Sequence, residues 1–429
     1  MHHSVFRARR STLVQTIKQQ HPNNSGVVAL FADFEQPRIN FRQESSFFYF
    51  CGIEEPGAVL TIALDGYTTL YIPNCGNRAQ WVTTAAQPTK ESAQQMGVDE
   101  IVYLGDACNT YHFSILFQET EYSTFLSMVR NAISTKKSLF TLAPQSQHQY
   151  ITQQLILARL NTMVAGLKEL TLDISPIVAR MRRKKSREEI ELIYKAAELT
   201  MLAQDAAGAS IEEDKKEREI QAGIEYMFCE AGARPGFPSI VASGANATVL
   251  HYTDNHHTMK RGDLVVVDIG AELNYYNADI TRTYPVTGTF TKRQRQVYDI
   301  VLKTQEHIAE LAKPGMWLNN KNEQDKSLHH LAVKFMEKHG YAKYFAHGIG
   351  HFLGLDVHDV GDIQEPLADG DVITIEPGIY IPEEKMGIRI EDNYWIIKDG
   401  SMCITEQLPK SADDIEEMMH YEADESDED

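Results

Sequence analysis

No apolar run in the 429-residue chain approaches the roughly 20 residues that a membrane-spanning helix needs. The polar, basic start is not followed by an apolar stretch of signal-peptide length, so neither secretion nor membrane insertion is expected. Cysteine is scarce. Cys51, Cys75, Cys108, Cys229 and Cys403 are scattered, odd in number and form no CxxC pair. That argues against a disulfide framework or a thiolate metal site, and for reduced thiols in a cytoplasmic protein. Positive charge is in deficit. The net charge is -19, and residues 413–429 hold ten of the acids with no Lys or Arg, so the rest of the chain carries -9. A nucleic-acid binder needs a basic face, and none is expected here. A Gly-x-Ser-x-Gly elbow and a Gly-x-x-x-x-Gly-Lys phosphate loop are both missing, so neither chemistry has support.

What is present is the composition of a globular protein, 43% hydrophobic and 24% charged, at a length that suits two domains. Residues 1–173 alternate short β-like runs, at 26–31, 58–63 and 68–72, with polar turns and helical stretches such as 146–160. They predict a mixed α/β domain. A second domain is expected over residues 174–420, and residues 421–429 form an acidic, disordered tail. The basic run at 180–185 reads as a solvated face or an interface stripe. Ser186 and Glu189 predict a capping box before a helix carrying Ile190, Ile193, Tyr194, Ala197 and Met201. Ser210 and Glu213 predict a second such start, before a helix carrying Ile220, Ile224 and Phe228.

Carboxylates then emerge from hydrophobic strands. The apolar run 264–267 leads straight into Asp268, and a buried unpaired charge is costly. A two-residue turn at Leu273-Asn274 sets Asp268 opposite Asp279 on one face, where two like charges need a cation between them. Two solvated turn aspartates are the plainer alternative. Glu376 follows the apolar run 372–375, and Arg389 and Glu391 share a strand face opposite Ile388 and Ile390. A simple Glu–Arg pair closing a hairpin is an even alternative there. His347, His351 and His358 fall within twelve residues. The i, i+4 spacing of the first two is that of a zincin helix, but the intervening Glu is absent and two glycines disfavour a helix. A glycine-rich loop bringing imidazoles to a substrate fits better. Four carboxylates and a histidine form a mostly hard-oxygen site that suits Mn2+ and related ions. Such a set can hold two cations about 3.5–4 Å apart and lower the pKa of a bound water to roughly 7.

The ordered set Asp268, Asp279, His351, Glu376 and Glu391 resembles the five metal ligands of the pita-bread metallopeptidases, a family that includes methionine aminopeptidase, prolidase and aminopeptidase P. Residues 279–285, 347–351 and 374–380 look like family signatures. Residues 354–361 look like aminopeptidase P and prolidase rather than methionine aminopeptidase, and the stretch 38–49 with Gly52 and Glu55-Pro56 resembles the aminopeptidase P N-terminal domain. The resemblance implies a pita-bread catalytic domain behind a smaller mixed N-terminal domain, an α/β (α+β) protein holding two divalent metal ions, Mn2+ foremost. It implies that Asp268 binds one metal, that Asp279 and Glu391 bridge both, and that His351 and Glu376 complete the second. Glu376 would help deprotonate the attacking water, with His251, His347, His358 and Arg389 around the substrate. The implied activity is release of an N-terminal residue from peptides with proline second, by a homo-oligomer, dimer or tetramer. A prolidase restricted to Xaa-Pro dipeptides is the runner-up, and a non-catalytic relative ranks below it. One departure is visible: residues 362–376 hold no basic residue, and the 377–387 turn is short, where family members often carry an arginine and longer insertions.

Overall fold

The structure is a computed structural model and describes residues 1–36, 38–78, 88–108, 117–144 and 150–421. The acidic tail, from residue 422 on, lies outside the described residues. Two compact units divide the chain, Met1–Arg182 and Arg183–Asp429.

The division falls nine residues beyond the boundary expected from sequence. Helix Ser175–Arg183 accounts for the shift. Tyr49 Oη donates to Met181 O at 3.1 Å and Arg182 Nη1 to Ser46 Oγ at 2.9 Å, which hold the helix to the first unit. The basic run is a solvated face only in part, with Arg180 and Lys184 exposed. Arg182, Arg183 and Lys185 are buried. Arg183 is paired with Asp371 through Nε and Nη2, at 2.8 and 2.7 Å, and Lys185 with Asp359 at 3.1 Å. Buried cations persist only when so paired.

The first unit is built on a six-stranded mixed sheet, in the order Glu100–Tyr103, Thr68–Ile72, Val59–Ala63, Gly26–Phe31, Ser138–Thr141, Thr171–Asp173. The central strand Gly26–Phe31 pairs antiparallel with Val59–Ala63 and parallel with Ser138–Thr141. Alternate residues Ala29 and Phe31 pack with Phe125, Val129, Ile156 and Leu160 from two helices, the period-2 signature of a strand covered by helix. One of those helices, Ile151–Met163, answers to the one expected at 146–160, of which residues 146–149 are outside the described residues.

The second unit opens with helix Arg187–Ser210, whose capping box joins Ser186 and Glu189 as expected. The second start signal was misplaced. Ser210 ends this helix, and the next, Glu217–Glu230, starts at Lys216, whose N–H donates to Glu219 Oε2 at 2.6 Å. Lys216 also bridges to Thr258, and that pairing keeps the chain extended up to residue 216.

Short curved strands pack against these helices. Ile280–Pro285, Leu264–Ile269 and Ile240–Ser243 form one antiparallel sheet, and Val372–Ile375, Asp392–Ile397 and Gly400–Cys403 another. Gly378–Ile381 and Met386–Arg389 form a hairpin. One rule runs through them. Val265, Val267, Ile269, Ile373, Ile375, Ile388 and Ile390 all enter the core with Ile224, Phe228 and Val301. Residues of opposite parity, Asp268, Thr374, Glu376, Arg389 and Glu391, therefore turn to the other face.

The expected register of the first hairpin needs correction. Asp268 pairs with Thr281, not Asp279, and Leu273 pairs with Tyr276. The turn is Asn274-Tyr275, with φ of 51° and 72°. Both values are left-handed, as a two-residue hairpin turn of this hand requires, and Asn tolerates the first. The slip is two residues, so Asp268 and Asp279 keep a common face.

Candidate metal centre

Asp279, His351 and Glu391 each present one ligand atom, and the three atoms lie within 4.8 Å of one another. They come from the end of one hairpin, a loop and the end of another hairpin. Asp268 adjoins Asp279 within hydrogen-bonding reach. Glu376 Oε1 lies 3.7 Å from His351 Nε2, and Asp279 Oδ2 lies 3.3 Å from the same nitrogen. The five residues expected as ligands thus gather at one place.

Their neighbours orient them. Thr281 Oγ1 donates to Glu391 Oε2 at 2.7 Å. Arg389, fully enclosed, donates through Nη2 to Asp268 Oδ2 at 2.6 Å, through Nε to Thr281 Oγ1 at 3.2 Å and through Nη1 to Tyr380 Oη at 2.9 Å. His351 Nδ1 lies 3.0 Å from the Phe352 carbonyl, so it carries the proton and leaves Nε2 as the free acceptor. His347 Nδ1 likewise sits 2.8 Å from Gly348 O. Its Nε2 is 2.8 Å from Tyr380 Oη, which already accepts from Arg389 and so donates to the imidazole.

His347 Nδ1 is 3.6 Å from Glu376 Oε2. The His358 ring lies against that of His351, centroids 4.3 Å apart. His251 lines the same cavity, of about 680 Å³, whose apolar wall is Phe237, Pro238, Ile240, Leu250 and Val357. Every residue expected at the site is therefore in or beside this cavity.

The loop carrying His347 and His351 is not helical. Gly350 explains one of its glycines: a Cβ there would meet Thr374 O at 2.0 Å, so the loop could not lie against strand Val372–Ile375. That contact fixes His351, whose N–H donates to Thr374 Oγ1 and whose carbonyl accepts from the Thr374 N–H. Gly350 thus serves a backbone contact within the fold, whereas the sequence suggested an approach to substrate. A Cβ at Gly348 would meet nothing nearer than Gly350 O at 3.9 Å, an ordinary contact.

Burial pushes the carboxyls of Asp279, Glu391 and Glu376 above the ordinary range, the first two well above it. For Asp279 the charges of Asp268 and Glu376 add to burial, and for Glu391 those of Asp279, Glu376 and Asp268. Burial, with Arg389 second, brings the His347 imidazole down to about 3. Burial and His351 bring His358 down to about 4. Both are neutral at physiological pH. Among the described residues, Asp268 Oδ1 and Glu391 Oε1 are buried with no hydrogen-bond partner. Buried acceptors of this kind are costly unless something electropositive meets them. The donor set of carboxylate oxygens and one imidazole nitrogen fits divalent cations.

Tyr380 and Thr281 were not singled out from the sequence, although both lie in signature stretches. The signal for Tyr380 was the glycine two residues before it: a Cβ at Gly378 would meet Tyr380 Oη at 2.4 Å, so the ring folds back over a residue without a side chain.

Comparison with known proteins follows the same lines. The model of metallopeptidase family M24 matches residues 191–398, which include all five clustered residues, and defines the class as a metallopeptidase. The aminopeptidase P N-terminal domain model matches residues 6–121. A Xaa-Pro aminopeptidase of Haemophilus influenzae is 33% identical, covering 97% of both chains. A Xaa-Pro dipeptidase of Pyrococcus furiosus is 42% identical over 54% of this chain and 66% of its own. The structure of aminopeptidase P from Escherichia coli with the inhibitor Pro-Leu superposes with a TM-score of 0.79, at 28% identity and 98% coverage of both chains. The chain belongs to the aminopeptidase P branch of metallopeptidase family M24 and shares its pita-bread fold.

Proposed function

We propose that Asp268, Asp279, His351, Glu376 and Glu391 hold two divalent cations, Mn2+ foremost, and that this centre releases the residue preceding proline from a peptide N-terminus. The chain is a metal-dependent exopeptidase of the Xaa-Pro aminopeptidase type. The observation that carries the metal assignment is the pair of orphaned buried oxygens on Asp268 and Glu391, amid like charges. Bound cations supply Lewis acidity, which acidifies a water and polarises a carbonyl.

The chain's own residues do the rest. Glu376, raised by burial and close to both His347 and His351, takes the proton of the attacking water. His347, neutral with its Nδ1 proton given to Gly348 O, stands beside Glu376 at the cavity wall. Tyr380 and Arg389 hold that tautomer through one hydrogen-bond chain. His251 and His358 line the peptide path. The apolar wall accepts a proline ring, which brings no N–H to be satisfied.

Coverage separates the two substrate readings. The aminopeptidase relative matches over 97% of this chain and the dipeptidase over 54%. The Escherichia coli enzyme binds Pro-Leu, the fragment left when a residue is removed ahead of proline in a longer peptide. Release of arginine from Arg-Pro-Pro, with Mn2+ present and much faster than turnover of Ala-Pro or Ala-Ala-Ala, is the expected result. Cleavage of Ala-Pro alone would make the chain a prolidase. All five cysteines are free, which supports a reducing, cytoplasmic setting. Among the described residues no helix is long and apolar enough to cross a membrane. A homo-oligomer, dimer or tetramer, stays part of the reading, and light scattering checks it.

A further inference from the structure

The helix Glu217–Glu230 begins with a carboxylate that is fully buried. Glu217 Oε1 accepts from the Ser243 N–H and hydroxyl, both at 2.7 Å, and from Asn246 Nδ2 at 3.2 Å. Oε2 accepts from the Tyr252 hydroxyl at 2.7 Å and from the His257 N–H at 2.9 Å. In return the Glu217 N–H donates to His257 O at 3.0 Å. One turn along the same helix, Gln221 Oε1 accepts from Asn255 Nδ2 at 3.0 Å, and Asn255 is buried at φ 44°. Five donors converge on one acid, from two separate stretches of chain. No side chain on this list is a cation.

One of those stretches is the loop 251–257. Tyr252 is turned inward onto Glu217, while His251 and Thr253, on either side of it, line the cavity. His251 itself stands exposed and lines the cavity with His347 and His358. An exposed imidazole on a loop keeps a reactive position only if the backbone beneath it is pinned.

We infer that Glu217 is a positioning residue, holding His251 at the cavity through Tyr252 and His257. This rests on the role proposed above for His251. Glutamine cannot replace the acid, because its amide offers one acceptor oxygen and turns N–H groups toward donors. One of the two donor sets is then left unmet.

The test compares Glu217→Gln and Tyr252→Phe, each alone and combined with His251→Ala, in the full-length Mn2+-loaded chain. kcat and KM for Arg-Pro-Pro are read with metal content and melting temperature. The expected result is a fall in kcat/KM of about 10-fold for each variant when His251 is present, with metal content unchanged. Once His251 is alanine, the same changes should alter kcat/KM by less than about 2-fold, because the loop no longer carries the group being positioned. Equal losses in both backgrounds would overturn the inference and leave Glu217 an acid of the core. A His251→Ala chain with undiminished kcat/KM would overturn the role of His251 instead, and this inference with it. Should Glu217→Gln show no cooperative melt, the Tyr252→Phe pair decides by the same two outcomes.

Discussion

Glu376 lies between two imidazoles with its carboxyl raised by burial, which brings it toward the protonation balance a general base needs. Glu376→Gln keeps the shape and loses the base. The expected outcome is a fall in kcat of about 10²–10⁴-fold with an unchanged melting profile, and near-normal turnover would assign the base elsewhere. Asp268, Glu376 and Glu391 were legible as candidates because each is a charge where an apolar strand should have another valine or isoleucine, and all three line the one cavity. Tyr380, Thr281 and Glu217 were not. Their meaning lies in partners: Thr281 meets Glu391, and Glu217 meets Tyr252 and His257. No local pattern reports hydrogen bonds that span 35, 40 and 110 residues.

At the scale of elements, the glycine loop and the strands were legible in kind but not in register. Alternation of apolar and charged residues identifies a face, and a slip of two residues leaves every face intact, so the pattern is blind to it. The turn residues decided it. Helix starts depend likewise on what the preceding segment pairs with, and the bridge from Lys216 to Thr258 overrode a local capping signal at Ser210. The loop 347–351 gives a sharp prediction. In Gly350→Ala the new methyl meets Thr374 O, so either the loop or the strand must move. A loss of stability of about 1–3 kcal/mol is expected in a denaturant melt. Catalysis should fall with it, because His351 is carried on the displaced loop.

For the whole molecule, the cavity draws acids from separate stretches of chain, and in the proposed metal centre protons compete with cations for them. Asp279 and Glu391 are held well above the ordinary carboxyl range in the metal-free chain. Between the ordinary and the raised values the folded chain binds protons that the unfolded chain does not, so metal-free stability rises as pH falls through that window. Cation binding needs both groups ionised, so Mn2+ affinity should move the other way and weaken as pH falls, with proton release on loading. Calorimetric Mn2+ titration of chelator-treated protein at about pH 8 and about pH 6 checks the direction, and equal affinity at both would mean that these acids are not the ligands. The two-unit plan was legible from texture and length. The boundary was not, because a helix that begins the basic run is held by Tyr49 and Ser46, far back along the chain.

The alternating strands also set how this gene can change length. Near the cavity each strand is read in a frame of two: Val267 and Ile269 face the core and Asp268 the cavity, as Ile388 and Ile390 face the core and Arg389 and Glu391 the cavity. Inserting or deleting a single codon within Leu264–Ile269 or Met386–Arg389 exchanges the two sets at once, sending carboxylates into the core and valines or isoleucines to the cations. Adding or removing two codons keeps the frame. Length variation in these strands should therefore be tolerated in even steps, and odd steps should be confined to the turns that join them.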